Sequence, residues 1–151
     1  HAVPDEGAPG LTSPTLIDAT SHSALEAAAE KAGNWLATAK PVMRAMIAHP
    51  MLVAGEGRAC TLLMGAAQEP VAIKTGAEAV YVEIVPEKRM GIAVKIVDGG
   101  TRAAECTIAA ILVGLGVLDA EHPATRMFMN APILNRRGME CGVIRPSAGL
   151  G

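Results

Sequence analysis

Aromatic residues are almost missing from this chain: one Trp, one Tyr and one Phe in 151 residues. Apolar residues still make up 50% of it, so the core must be built from Ala, Val, Ile, Leu and Met. Scarce aromatics leave few surfaces on which bases could stack. The 13 Lys and Arg form no basic block and are set against 15 Asp and Glu. Nucleic acid is therefore not an expected partner. The three cysteines, Cys60, Cys106 and Cys141, lie far apart with no Cys-x-x-Cys spacing. That argues against a disulfide framework and a Cys-rich zinc site, and for free thiols in a reducing cytoplasm. No signal peptide is visible, and the most apolar run, Thr107 to Leu118, is too short to span a bilayer. No membrane partner is expected, and the localisation expected is cytoplasmic. The first residue is His1 and not Met, as in a processed product, a fragment or a partial chain.

The length suits one domain, able to bury about two-thirds of the surface its unfolded form exposes. Residues 1–20, rich in Pro, Gly, Ser and Thr, read as a loop or arm. Residues 21–67 read as helical. Ser21 or Ser23 caps a helix from Ala24 to Ala39, where Leu25, Ala28, Ala29, Ala32, Trp35 and Leu36 recur at helical spacing. Pro41 starts a second helix, Val42 to Ala48, stopped by His49-Pro50. Met51 to Arg58, with Gly55 and Gly57, reads as a flexible connection, and Thr61 to Ala67 as a short helix.

Antiparallel strands are expected within 70–97, at about 70–74, 79–85 and 90–97, the last two joined by the polar turn Pro86-Glu87-Lys88-Arg89. In the second strand Val80, Val82 and Ile84 share one face, and Tyr81, Glu83 and Val85 share the other. Within 101–117, Thr101 caps a helix from Arg102 to Leu115, with Glu105 in a capping arrangement. Ala104, Thr107, Ile108, Ile111 and Leu112 give that helix a stripe for the sheet. Residues 118–151 read as loops with a terminal strand at Glu140 to Arg145. The fold class expected is α+β.

The chemistry concentrates at Lys74-Thr75-Gly76, between a short apolar strand and a second β-rich run. A lysine ending a buried strand is a cation on a rigid backbone. The threonine adds a hydroxyl, and the glycine clears a Cβ for close approach of a ligand. The triplet matches the third active-site box of serine acyl-transfer enzymes of the β-lactamase and penicillin-binding type. Equally, a lysine at a strand end simply faces solvent. Arg58, after a Gly-rich turn, suits either a substrate carboxylate or a surface ion pair. His22, His49 and His122 stand near no visible carboxylate–serine constellation and read as structural or solvated. The cysteines and Met43, Met127 and Met129 read as packing rather than ligands.

The longer pattern is more specific. His49-Pro50-Met51-Leu52-Val53-Ala54-Gly55, then Gly57-Arg58, then Thr61-Leu62-Leu63-Met64 resembles the Rhizobium-type L-asparaginases, the asparaginase II class. The likeness continues through Lys74-Thr75-Gly76-Ala77-Glu78, Val85-Pro86-Glu87-Lys88 and Gly91-Ile92-Ala93-Val94-Lys95-Ile96. Asp98-Gly99, Thr101-Arg102-Ala103-Ala104-Glu105, Asn135-Arg136-Arg137-Gly138 and Gly142-Val143-Ile144-Arg145-Pro146 complete it. It covers roughly 40–118 well and 133–147 more loosely.

The resemblance implies a serine β-lactamase-like fold and hydrolysis of L-asparagine to L-aspartate and ammonia. It implies Lys74 in the active site beside a serine of a Ser-x-x-Lys motif. There a second lysine supplies positive charge and steers the substrate's α-carboxylate. Thr75 would bond the same carboxylate, next to Gly76. Glu78 would pair with a lysine or with the α-ammonium.

This chain departs from the pattern. Ser13, Ser21, Ser23 and Ser147 all lack a lysine three residues on. The family's Asn-Cys-Ser-Gly-Lys-His motif, tied to a bound zinc, is absent, so zinc is implied by resemblance without its ligands here; no cofactor is expected to be required. The family's Asp-Gly-Cys-Gly-x-Pro motif has an echo in Asp5-Glu6-Gly7-Ala8-Pro9, which would put Asp5 against substrate or leave it a loop residue. The expectation is the C-terminal part of such a fold, with an unpaired strand edge before Lys74 and an uncovered apolar helix face. Association with a missing N-terminal segment, or as a homo-oligomer, follows. The alternatives are a non-catalytic, truncated or degenerate relative that binds a small amino acid or acts structurally, and a β-lactam-interacting protein. The flanking Ala77-Glu78 and the His-Pro signature speak against the last.

Overall fold

In a computed structural model, residues 35–147 are described, and they form six elements of an α+β core followed by a smaller helix–hairpin unit. Helix α1, Trp35–Ala48, runs straight through Pro41 where two helices were expected. Proline's φ is already helical, and its missing N–H removes a hydrogen bond without ending this helix. The expected stretch from Ala24 to Asn34 lies outside the described residues, as do the arm and Asp5.

The connection expected after His49-Pro50 is not flexible. Pro50–Ala54 form helix α2, with Pro50 at its first position, where a missing N–H costs nothing. The Gly-rich turn that follows is tied down: the Thr61 hydroxyl lies 2.6 Å from the carbonyl of Gly55 and 3.2 Å from that of Pro50. Helix α3, Ala59–Ala66, starts two residues earlier than the spacing predicts, with Arg58 at its N-cap. It buries Ala59, Cys60, Leu63 and Met64.

Strands β1 (Ala72–Thr75), β2 (Val80–Val85) and β3 (Met90–Lys95) form an antiparallel sheet in that order. The register sets Thr75 opposite Tyr81, Ile73 opposite Glu83, and Glu83 opposite Ile92. Of the two rows on β2, Tyr81, Glu83 and Val85 are buried, whereas Val82 and Ile84 are 44% and 45% exposed. The reason lies on the neighbouring strands. Lys74 is opposite Val82 and Lys95 opposite Val80, and a face carrying two lysines cannot be turned into the core. The β2–β3 turn is a single 3-10 turn, Pro86–Lys88, closed by Arg89 at φ 51°.

Helix α4, Thr101–Gly114, covers the inner face with Ala104, Ile108 and Leu112, all fully buried. Thr107 and Ile111, expected in the same stripe, are only partly buried. The expected cap is corrected: Gly100 is the N-cap, Thr101 is already helical, and no side chain caps this end. Asp98 Oδ1 instead accepts from the Gly100 N–H at 2.8 Å, and Glu105 is engaged elsewhere. The stretch expected to be mostly loop contains helix α5, Pro123–Met129, and a bulged hairpin of β4 (Ala131–Leu134) and β5 (Glu140–Ile144). His122 Nδ1 accepts from the Ala124 N–H at 3.2 Å and so caps α5. No helix among the described residues is long and apolar enough to cross a membrane.

Candidate functional site

Strand β1 pairs with β2 alone among the described residues, so its other edge is open. Successive residues of a strand point to opposite faces. Lys74 and Thr75 therefore flank that open edge, one on each side.

On the outer side, Lys74 borders a groove of about 390 Å³ lined by Val42, Met46, His49, Leu52 and Val53. Its walls come from α1 and α2, and nearly all of them are apolar. Lys74 is exposed and its Nζ donates to the Thr75 carbonyl at 3.1 Å. The groove thus offers one cation and one imidazole at the margin of an apolar trough. His49 was read as a helix stop. It is exposed and leads into Pro50 of α2, and it also shares this groove with Lys74. The sequence separation of 25 between them, bridged by two helices, hides that proximity from spacing arguments.

On the inner side, Thr75 is half-buried, with its hydroxyl 3.3 Å from the Gly76 carbonyl and 3.4 Å from the Val80 carbonyl. Tyr81, across the ladder, is 1% exposed, and its hydroxyl lies 3.3 Å from Glu105 Oε1. Burial pushes the Tyr81 phenol up to about 12, against a lowering contact with the Thr75 hydroxyl and with the Glu105 charge adding to the rise. Burial also raises the Glu105 carboxyl, opposed by the Tyr81 hydrogen bond and the Arg58 charge. Cys60, at the start of α3, is raised by burial, opposed by the Thr75 backbone and the charges of Lys74 and Arg58. Arg58, Cys60, Thr75, Tyr81 and Glu105 therefore converge from four separate elements. Cys60, Tyr81 and Glu105 were not singled out from sequence as site residues. The sign available was that Tyr81 is the one tyrosine in the chain and falls on the strand opposite the Lys-Thr-Gly triplet.

The remaining expected residues stand as follows. A Cβ on Gly76 would meet Val80 Cβ at 3.4 Å, so its small size serves turn closure as well as access. The Gly76 N–H donates to the Val80 carbonyl at 2.7 Å. Glu78 is exposed in that turn at φ 53°, followed by Ala79 at φ 56°, and its carbonyl accepts from Lys95 Nζ. Arg58 is exposed at the head of α3.

Among the described residues, no three His, Cys, Asp or Glu side chains are placed to hold a metal ion. Cys60 has the cations of Lys74 and Arg58 as its nearest charges, a setting that repels a metal. The described residues do not fit a zinc ion.

An α+β chain with Lys-Thr-Gly on an open strand edge, beside an apolar groove, is a substrate-binding scaffold of the acyl-transfer kind. The L-asparaginase II family model matches residues 6–146, and the chain belongs to that family. The match extends through the N-terminal arm as well as the stretches in which the resemblance is strongest. No curated protein sequence matches the chain.

Proposed function

We propose that the chain acts as the C-terminal part of a serine β-lactamase-like asparaginase, hydrolysing L-asparagine to L-aspartate and ammonia. Membership of the L-asparaginase II family supports an asparaginase-like function. The observation that carries the rest is the position of Lys74, exposed at an open strand edge at the margin of an apolar groove.

In this reading a serine on a segment that completes the site attacks the side-chain amide carbonyl. A nearby base takes its proton and returns it to the leaving nitrogen. Ammonia departs, an acyl ester remains, and water cleaves it to aspartate. Lys74 supplies positive charge that stabilises the oxyanion, lowers the base's pKa and attracts the α-carboxylate. Arg58 and Glu78 contribute to substrate binding from the two turns that flank the edge, and Gly76 keeps the strand end narrow. Asp5 is a candidate from the arm. An open edge and an apolar groove favour association, with an N-terminal segment or as a homo-oligomer. A monodisperse, soluble monomer in size-exclusion chromatography would count against it.

A second reading rests on one observation: no Ser-x-x-Lys occurs in the sequence. On that ground the chain is a non-catalytic relative that binds a small amino acid or serves a structural role. Ammonia release from L-asparagine separates the two, measured for the chain alone and with an N-terminal portion of a parent polypeptide. The expected result is activity in the mixture, reduced roughly 100-fold or more by Lys74→Ala. Silence in both favours the second reading. Activity of the chain alone would place the nucleophile within it.

A further inference from the structure

The inner side of β1 holds a detail that the role of Lys74 does not use. Thr75 has one hydroxyl proton and is surrounded by acceptors. The carbonyls of Gly76 and Val80 lie at 3.3 and 3.4 Å and can only accept. Its third neighbour is the Tyr81 hydroxyl, which faces Glu105 Oε1 at 3.3 Å. A carboxylate has no proton to give, so the phenol donates to Glu105 and its oxygen is left to accept. The phenol keeps its proton at any ordinary pH, its pKa being pushed up to about 12 by burial.

We propose that Glu105 and Tyr81 are positioning residues that turn the Thr75 hydroxyl proton inward, so that Thr75 presents a lone pair at the edge of β1 and reads the α-ammonium of an amino-acid substrate rather than its carboxylate. The chain of donors runs Thr75 to Tyr81 to Glu105. Arg58, whose charge acts on the same carboxylate, holds the far end of it. The carboxylate of the substrate then falls to Lys74 on the other side of the strand. An amino acid lying along this edge would have its two charged groups sorted by the two faces of one strand. This inference rests on the asparagine-site reading above for its ligand, but the proton direction stands apart from it.

Two measurements keep these separable. Tyr81 is the only tyrosine, so the Raman Fermi doublet of tyrosine reports its hydrogen bonding alone, without any ligand. The native chain should show a phenol that is chiefly a donor. Glu105→Leu should abolish that signature and Glu105→Gln, which keeps the size, should weaken it. Thr75→Val should leave the donor state and remove the accepted bond. A native phenol that is not a donor, or one indifferent to both Glu105 variants, overturns the proposal.

The second measurement is calorimetric binding of three ligands to the native chain, or to the mixture if only that is active. These are L-asparagine, 3-aminopropanamide, which lacks the carboxylate, and succinamate, which lacks the ammonium. Thr75→Val should weaken the first two roughly ten-fold and leave succinamate unchanged. Glu105→Gln should act in the same direction and less. If Thr75→Val instead weakens succinamate and spares 3-aminopropanamide, Thr75 donates to the carboxylate and the proposal is wrong. If none of the three binds, the asparagine site fails and the ligand assignment falls with it, while the Raman result still decides the proton direction.

Discussion

At one end of the inner face of β2 a buried polar group has a partner; two residues further along the same face, one does not. Tyr81 meets Glu105 and Thr75, and each group in that trio lowers the cost of burying the next. Glu83 lies between Ile73 and Ile92 on the flanking strands. It is 1% exposed, and neither carboxylate oxygen has a hydrogen-bond partner among the described residues. Burial pushes its carboxyl up to about 8. Glu105 is also raised by burial, but the Tyr81 hydrogen bond and the Arg58 charge work against that rise. Two carboxyls under one helix thus differ in what surrounds them. The paired one is part of a site. The unpaired one is a load on the fold.

The largest effect should come from removing that load. Below its ordinary value of 4.5 the Glu83 carboxyl is neutral in both states. As pH rises from there to about 8, the unfolded chain gives up the proton while the folded chain holds it. The unfolded state is the one that gains, so stability falls across this window and is level above it. Near neutral pH the loss is about 3 kcal/mol, at roughly 1.4 kcal/mol per pH unit. Glu83→Leu, filling the space between two isoleucines, should recover about that much and flatten the slope. Glu83→Gln should flatten the slope and recover less, because a buried amide still lacks partners. Urea unfolding on both sides of the window checks this. Parallel pH profiles for native and Leu chains would show that Glu83 has a partner after all.

Substitution at the other end should have the opposite sign. Tyr81→Phe and Glu105→Gln should each cost about 1–2 kcal/mol, since each leaves a partly buried group short of a bond. The double variant should fall short of the sum by about 1 kcal/mol, the coupling expected for a direct hydrogen bond. A stabilised Glu105→Gln would erase the contrast and make both carboxyls equal burdens.

Much of this contrast was hidden in the sequence for a definite reason. Alternation along Val80–Val85 marks a strand but not which face goes inside. The all-apolar row, Val82 and Ile84 included, looks like the core row and is the more exposed one. The decision is made by Lys74 and Lys95 on the neighbouring strands, which only the register brings together. The class of fold, the three strands and the helix over them were legible, because their apolar periods are local. The pairing of Tyr81 with Glu105 was not. Glu105 sits where a capping box would place it, and a local rule claimed it before a partner 24 residues away came into view. Likewise Met51–Ala54 and the β4–β5 hairpin were obscured by Gly and Pro, residues that mark turns but also begin helices and edge strands. Lys74 was legible as chemistry. The groove and His49 beside it were not, because helices with no fixed spacing build that wall.

The smallest effect tests the backbone at the two ends of β2. Glu78 and Ala79 hold φ values of 53° and 56° in the turn entering the strand, and Arg89 holds 51° in the turn after it. Left-handed backbone costs a side-chain-bearing residue about 1 kcal/mol, part of which glycine returns as extra freedom in the unfolded chain. Glu78→Gly and Arg89→Gly should therefore each stabilise by about 0.5 kcal/mol, read in the same unfolding experiment. Both residues are exposed, so no core contact confuses the comparison. They should differ in binding. If Glu78 touches the substrate, its glycine variant gains stability and loses affinity for L-asparagine, while Arg89→Gly changes stability alone. Equal gains with unchanged binding would assign the left-handed pair at Glu78 and Ala79 to closing the hairpin, and would remove Glu78 from the site.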